Sequence, residues 1–447
     1  MKTTIFEKKN DKKMLHKFNP TFILLLVLLV GLVACEKNED TELPHVQIVK
    51  PTTNSSYSVP DSIMVEATIS DNNNIEWIQI DLINKDQQPV ADTRIIKNIN
   101  QTSYQLQLKY PVTDEYLPSG EYYLQVKAFD GINSKNDQKK IHINEVPREL
   151  KYFFLLTKSN PNQVSVYYLD SSWQKHYIFA ETFDYLASRF ISRTQQLVIT
   201  GESTYGIKSY EIQNFDPLWN IPVTANPTGA YFTAFSKTDQ EILMALYNGD
   251  IAIINDHGNR IKTFHAALPY FAYELLKYNN YLLTAQRNKP DNERYITSYF
   301  INGGGTYHEQ FIDFRVEQFY AGTNNNIILT GNYSNEGGIW VYNLLNKTLW
   351  DAKAFSESPV KSSCKISSND FLISGDQNIH RYQVSTNSLT VWKNNISADK
   401  LYYEPLSNNV IAIKDKTIRI FDFPIPTLKH ETVLNEKIQA IHPVYNK

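Results

Sequence analysis

Two rhythms of apolar and polar positions run along the 447-residue chain. Between residues 44 and 146 the rhythm has period two. His45–Val49, Ser62–Ile69, Trp77–Leu82, Tyr104–Leu108, Tyr122–Ala128 and Ile141–Ile143 alternate, with turn residues between them. Alternation puts every second side chain on one face of a strand, so such segments with turns about every 8–12 residues predict a β-sandwich. From 148 to 447 a longer period takes over: an apolar strand, a short polar gap, then a strand reading aliphatic-x-x-aromatic. The second strand begins at Val164, Ile207, Ile251, Ile296, Ile339, Ile379 and Ile418, at spacings of 43, 44, 45, 43, 40 and 39 residues. Only the third copy, Ile251-Ala252-Ile253-Ile254, ends on an aliphatic residue.

A period of that length built from short strands predicts a β-propeller, and seven repeats predict seven blades. Candidate inner strands precede the pairs, for example Tyr185–Ile191, Ala230–Phe235, Tyr273–Tyr278 and Leu401–Leu406. One more, Ile438–Val444, is left over at the end, while the first repeat, from Lys151, lacks its own. The last segment is therefore expected to supply the inner strand of the first blade, which closes the ring and removes an open edge.

The N-terminal region follows a different logic. A basic stretch with Lys8, Lys9, Lys12, Lys13 and Lys17 precedes an apolar run from Phe22 to Val33. Twelve residues fall short of the roughly 20 that a bilayer-spanning helix needs, so the segment reads as an export signal. Leu32-Val33-Ala34-Cys35 resembles the bacterial lipobox. The resemblance implies cleavage after residue 34 and acylation of Cys35, with a second chain to make anchoring stable. Glu36-Lys37-Asn38-Glu39-Asp40 resembles the surface-export tag of lipoproteins in some Gram-negative bacteria, which implies an address on the outer face of the outer membrane. Residues 1–34 are thus expected to be a lipoprotein signal peptide and 35–43 an acidic tether.

Two further resemblances refine the fold. Ser119–Asp130 is similar to the penultimate strand of immunoglobulin-like and fibronectin-like modules, where a Tyr caps a corner by bonding to backbone. The region 148–447 resembles WD40-like and quinoprotein-like propellers of bacteria. The family words are missing, however: no Trp-Asp ends the repeat strands, and Trp350-Asp351 lies later. Gly337-Gly338 with Tyr342 and Trp350 is kelch-like in one copy only. The expected fold class is all-β, an Ig-like β-sandwich over 44–146 followed by a seven-bladed β-propeller over 148–447.

Composition narrows the partners. The formal charge is −3, with 44 basic and 47 acidic residues. Residues 1–34 hold six Lys and two acids, so the remainder carries 38 basic and 45 acidic residues, or −7. That argues against nucleic acid, which calls for a basic face. The two cysteines are Cys35 and Cys364; with Cys35 acylated there is no disulfide framework. Cys364, on a predicted inner strand, reads as a small core residue rather than a nucleophile.

Catalytic words are absent. The ten His form no zinc-spaced pair, and Gly303-Gly304-Gly305 lacks the Lys-Ser/Thr of a phosphate loop. Asp256-His257 sits in a hairpin turn, Asn255–Asn259. Asp71–Asn74 and Asp130-Gly131 would offer oxygen ligands to calcium if they met, but without a fixed ligand spacing they read as Asx turns. No metal and no cofactor is expected. Binding is expected at the longest hairpin loops, in the fourth and fifth blades, because long loops on a rigid ring carry function. The candidate rim is Arg287, Asn288 and Arg294 from one loop, Tyr333 and Asn335 from the other, with Tyr270 and Phe271 from a connection beside them. Aromatics beside Arg and Asn suit a glycan or a peptide. The expected function is a lipid-anchored surface binding or scaffold protein, held to the membrane through Cys35, with an envelope protein or an extracellular glycan as partner. The alternatives are a propeller enzyme (lyase, hydrolase or quinone-dependent dehydrogenase) and a periplasm-facing assembly scaffold.

Overall fold

The computed structural model describes residues 40–447 except 161, 226–228, 239, 289–290 and 356–357. The segment expected to be an export signal, Cys35 and the first part of the acidic segment lie outside the described residues. The described chain is built of strands and turns, and it has no helix long and apolar enough to cross a membrane. Its contacts divide it after Val146 into two compact units.

The first unit has six strands: β1 (His45–Lys50), β2 (Ser55–Ser58), β3 (Asp61–Ile83), β4 (Arg94–Val112), β5 (Gly120–Phe129) and β6 (Ser134–Asn144). They pair in the order β1–β3–β5–β6–β2, with β4 also on β3. The long β3 serves two halves. Its start pairs with β1 and with the end of β4; past register shifts between Ser70 and Trp77, its end pairs with β5 and with the start of β4. Ile63, Val65, Ala67 and Ile69 from the first half share one core with Ile78, Ile80, Leu82, Leu124 and Val126 from the second. The period-two pattern is the cause, since each half has one apolar face to cover. Tyr122 is buried and donates from its hydroxyl to the Pro118 carbonyl at 2.9 Å. Trp77 lies outside this core, half-buried and stacked on Phe129.

The second unit is seven four-stranded antiparallel sheets in succession. Blade two starts with inner strand Tyr185–Ile191, blade three with Phe232–Lys237 and blade four with Tyr270–Tyr278. Blades five, six and seven start with Arg315–Ala321, Ser362–Lys365 and Lys400–Glu404. Blade one takes its inner strand from the C-terminus: Lys437–Tyr445 pairs antiparallel with Leu150–Asn160. Side chains or backbone groups bridge all seven junctions between inner strands or their lead-ins. Ser188 contacts His442 at 2.7 Å, Lys237 donates to the Phe190 carbonyl and Thr233 to that of Ala272. Tyr273 accepts from Val316 N, Tyr320 donates to Ser363, Ser362 to the Ala398 carbonyl, and Tyr445 to Glu404. The ring is a closed seven-bladed β-propeller.

The cores lie between blades rather than within them. Phe154 and Val166 of blade one pack with Phe190, Leu197 and Tyr210 of blade two. A middle strand is covered on both faces by neighbouring blades, so Leu197–Ile199, Ile327–Leu329 and Val410–Ile413 are continuous apolar runs instead of alternating ones. The aromatic of the repeat signature has the same explanation. Tyr210, Tyr299, Tyr342, Tyr382 and Phe421 are all buried in clusters formed between adjacent blades.

The closing strand gives the first test. Ile441 is fully buried within a cluster that spans blades one and seven. Ile441→Ala should destabilise the propeller by about 2–5 kcal/mol, and removal of residues 437–447 should abolish its cooperative transition. Urea unfolding followed by circular dichroism reads both.

Candidate binding site

Two cavities in the propeller collect charged groups. The larger, of about 500 Å³, is the channel inside the ring. Six of the seven inner strands or their lead-ins line it, contributing Arg189, Lys237, Gln318, Lys361, Lys400 and His442 among others. On the seventh, the Glu274 carboxylate accepts from the side chain of the lining residue Gln318 at 2.7 Å. Arg189 donates to the carbonyls of Ser188 and Phe235, and neither Arg189 nor Lys400 has an ion-pair partner among the described residues. Lys361 pairs with Asp376 at 2.7 Å.

The channel walls shift protonation. Burial pushes the Glu274 carboxyl up to about 8, against a smaller opposing pull from Arg189. Glu274 keeps some contact with channel solvent, yet protein surrounds it on every side, so water solvates its charge poorly. Burial first, then the charges of Arg189, Lys237 and Lys400, holds His442 neutral, well below the usual histidine range. Burial likewise depresses Lys400. A protonated carboxylic acid and a neutral imidazole thus share a site with guanidinium and ammonium groups.

The smaller cavity, about 270 Å³, sits where the inner strands of blades two to five begin. Leu186, Phe232, Thr233, Phe271 and Tyr273 give it walls; Arg287, Arg294 and Arg315 bring positive charge and Glu202 one carboxylate. Arg287 and Arg294 are directly opposite each other on the two strands of the blade-four hairpin. Like charges in that position repel, and neither arginine forms an ion pair among the described residues. Arg287 lies over the Phe271 ring at 5.0 Å. Arg315 Nε is 3.3 Å from Glu317, and Glu317 also lines the channel. The Arg315–Glu317 pair therefore joins the two cavities.

The candidate rim residues divide between two places. Phe271, Arg287 and Arg294 line the small cavity. Tyr270 stands beside them, bonded to Glu293 at 2.8 Å and packed edge-on to Tyr295. Asn288 is buried on the same hairpin, and its Oδ1 has no hydrogen-bond partner. Tyr333 belongs elsewhere, in a separate hollow of about 240 Å³ with Trp340, Asp351 and Lys353. Asn335 is exposed at the tip of that blade-five hairpin. The two loops are long for the same reason but serve different hollows.

Arg315 and the channel residues Arg189, Lys237, Glu274, Lys400 and His442 escaped the sequence reading. A usable signal was present for three of them: Arg189, Glu274 and His442 fall inside predicted inner strands, where an ionisable group must face the ring centre or remain unsatisfied. The turn readings agree with the structure. Asn255 Oδ1 accepts from His257 N and Asn259 N, and Gly304 takes a positive φ in its hairpin. Cys364 is buried on an inner strand, which pushes its thiol up to about 12 and keeps it protonated.

No protein-family model matches the chain, and the comparison with curated proteins gives no match either. Among solved structures, similarity extends to the WD40 domain of Neurospora crassa Pan2, at 12% identity and a TM-score of 0.46, over 58% of this chain and 81% of that one. A quinoprotein alcohol dehydrogenase-like protein from Bacteroides thetaiotaomicron is similar at 13% identity and a TM-score of 0.45, over 90% of this chain and 99% of that one. At these values the propeller assignment rests on the strand pairing of the chain itself.

Glu274 makes stability depend on pH. The folded chain holds its proton up to about 8, whereas the unfolded chain releases it near 4.5, as an ordinary glutamate does. The folded state binds more protons in that window, so this residue's contribution to stability falls as pH rises through it. Glu274→Gln removes the titration while keeping an acceptor for Gln318. Urea midpoints at about pH 5 and about pH 8 should converge in the variant relative to wild type.

Proposed function

We propose that the protein is a lipid-anchored surface protein whose propeller binds an acidic extracellular glycan at the arginine cavity of blades two to five. The observation that carries this reading is the set of three arginines on one small cavity against a single lining carboxylate, Glu202, with Arg287 and Arg294 directly opposed and in no ion pair among the described residues. Such an arrangement costs energy in the empty protein and is relieved by an anion. Guanidinium groups suit carboxylate and sulfate because their donors form a planar fork. Phe271 and Tyr273 in the cavity wall offer apolar surface for sugar rings beside those forks. In this reading 44–146 is an Ig-like module between anchor and propeller. The Tyr122–Pro118 hydrogen bond supports that assignment, while the position of Trp77 outside the core departs from the immunoglobulin pattern. The anchor itself rests on the lipobox at Cys35 and the acidic residues behind it.

A second reading is enzymatic, and one observation favours it. Glu274 as a proton donor near neutral pH, His442 as a neutral base and Arg189 as a carboxylate partner are the parts that a hydrolase or lyase would use. Product release from a bound acidic polysaccharide would identify that activity; binding without turnover would leave the first reading alone.

Titration of a polyuronate and of a sulfated polysaccharide into the protein is the direct test. Arg287→Ala and Arg294→Ala should each weaken binding by roughly tenfold or more, and affinity should fall with added salt. Absence of binding to either polymer, or full affinity in the double variant, would overturn the assignment. Protease shaving of intact cells, with acyl labelling of wild type and Cys35→Ala, tests the anchor and its outward address.

A further inference from the structure

Three chain segments far apart in sequence meet at one end of the first unit, and each brings a carboxylate. Asp40 precedes β1, Asp71 lies where β3 shifts register, and Asp130 opens the turn between β5 and β6. One carboxylate oxygen from each lies within 4.8 Å of the other two. Burial raises the Asp71 carboxyl, with the charges of Asp130 and Asp40 adding to it, while the Asn72 amide leads the donors that hold the Asp40 carboxyl below its usual range.

Asp130 supplies the second and independent observation. It is only 7% exposed. Its Oδ1 is fully engaged, accepting from Ile132 N at 2.7 Å and Asn133 N at 2.5 Å. Its Oδ2 is buried and has no hydrogen-bond partner among the described residues. A buried carboxylate oxygen without a donor is costly, and proteins tolerate one where a cation or a proton completes it.

The surroundings are rich in oxygen. Asn72 and Asn73 reach Asp40 with their side-chain amides at 3.0 and 2.6 Å, and a rotation of either amide would turn its oxygen toward the carboxylates. Glu76 is close as well: its Oε1 lies 2.8 Å from where a Cβ on Gly131 would sit, beside Asp130. Asn133 ties the Asp40 and Glu42 carbonyls to the same turn at 2.9 Å each. The set contains no sulfur and no imidazole, so it suits a hard cation. Ligands drawn from three separate segments of the chain favour the adaptable sphere of calcium over the strict octahedron of magnesium.

We propose that Asp40, Asp71 and Asp130 form a calcium site that fastens the start of the folded chain to the β3 and β5–β6 turns.

Calorimetric titration of calcium into the chelator-stripped full chain is the test, with terbium luminescence as a second readout because Trp77 and Phe129 stack beside Asp130. The expected result is a single site with a dissociation constant on the order of 10⁻⁴–10⁻³ M. Calcium should raise the unfolding midpoint and displace terbium. Asp71→Asn should weaken binding by roughly tenfold or more. Asp130→Asn, which keeps the Oδ1 acceptor for the turn, should abolish the terbium signal while the strand spectrum in circular dichroism stays unchanged. Three outcomes would overturn the proposal: no heat and no midpoint shift in folded wild type, unaltered binding in both variants, or equal competition by magnesium.

Discussion

Everything in the propeller depends on the pairing of its last strand with its first sheet. A blade has two apolar faces and cannot bury either alone, so stability arises only when the ring is complete. Lys437–Tyr445 joins Leu150–Asn160 by backbone hydrogen bonds, which converts the weakest junction into a continuous sheet. The connection spans nearly the whole unit, yet length is a mild obstacle, since each doubling of a loop adds only about 0.6 kcal/mol to its closure. Burial of Ile438, Ile441 and Val444 on the closing strand contributes about 1.5–3 kcal/mol for each side chain and outweighs that cost. Side chains then lock the seam. Tyr445 donates to the buried Glu404, Arg148 covers the Tyr445 ring at 3.8 Å, and Asn446 bonds to the backbone of Pro147 and Glu149.

Closure has a chemical consequence. Inner strands that converge on an axis leave a space between them, and the residues facing it meet partners from other blades. Apolar groups facing a wide channel would hold water against themselves; charged groups can be hydrated there or bonded to carbonyls. Arg189 and Lys237 take the second course, each donating to a neighbouring blade's backbone. Glu274 and His442 resolve the same problem by losing their charge. The concentration of titratable groups at the axis is thus a product of the architecture before it is evidence of any reaction, and that ordering is why binding at the rim is the leading reading.

The division between what the sequence disclosed and what it hid follows from distance along the chain. Repeats were legible because the middle strands are buried on both sides and the signature aromatics fill the same interblade position in nearly every copy. The missing inner strand of the first repeat and the spare one at the end were legible for the same reason. Arg287 and Arg294 were found because one hairpin carries both. Arg315, one blade on, joins them only in three dimensions, and the channel draws single residues from strands some 40 positions apart. Tyr333 and Asn335 were grouped with the arginines on loop length alone, a criterion blind to which hollow each loop borders. Asp71 and Asp130 were legible as oxygen donors, but their meeting, and the third carboxylate from Asp40, were not. The Asx turns assigned at Asp71 and Asp130 do exist, with Asp71 accepting from Asn73 N and Asp130 from Ile132 N, but local turn chemistry uses one oxygen and says nothing of where the other points.

Net charge and site charge part company here. A chain at −3 overall would be expected to repel an acidic polymer, and far from its surface it does. Salt screens that average field beyond about 8–10 Å. Within such a distance a ligand senses the three arginines of the small cavity, with Glu202 beside them, and the Arg189, Lys237 and Lys400 group more than the net charge of the chain.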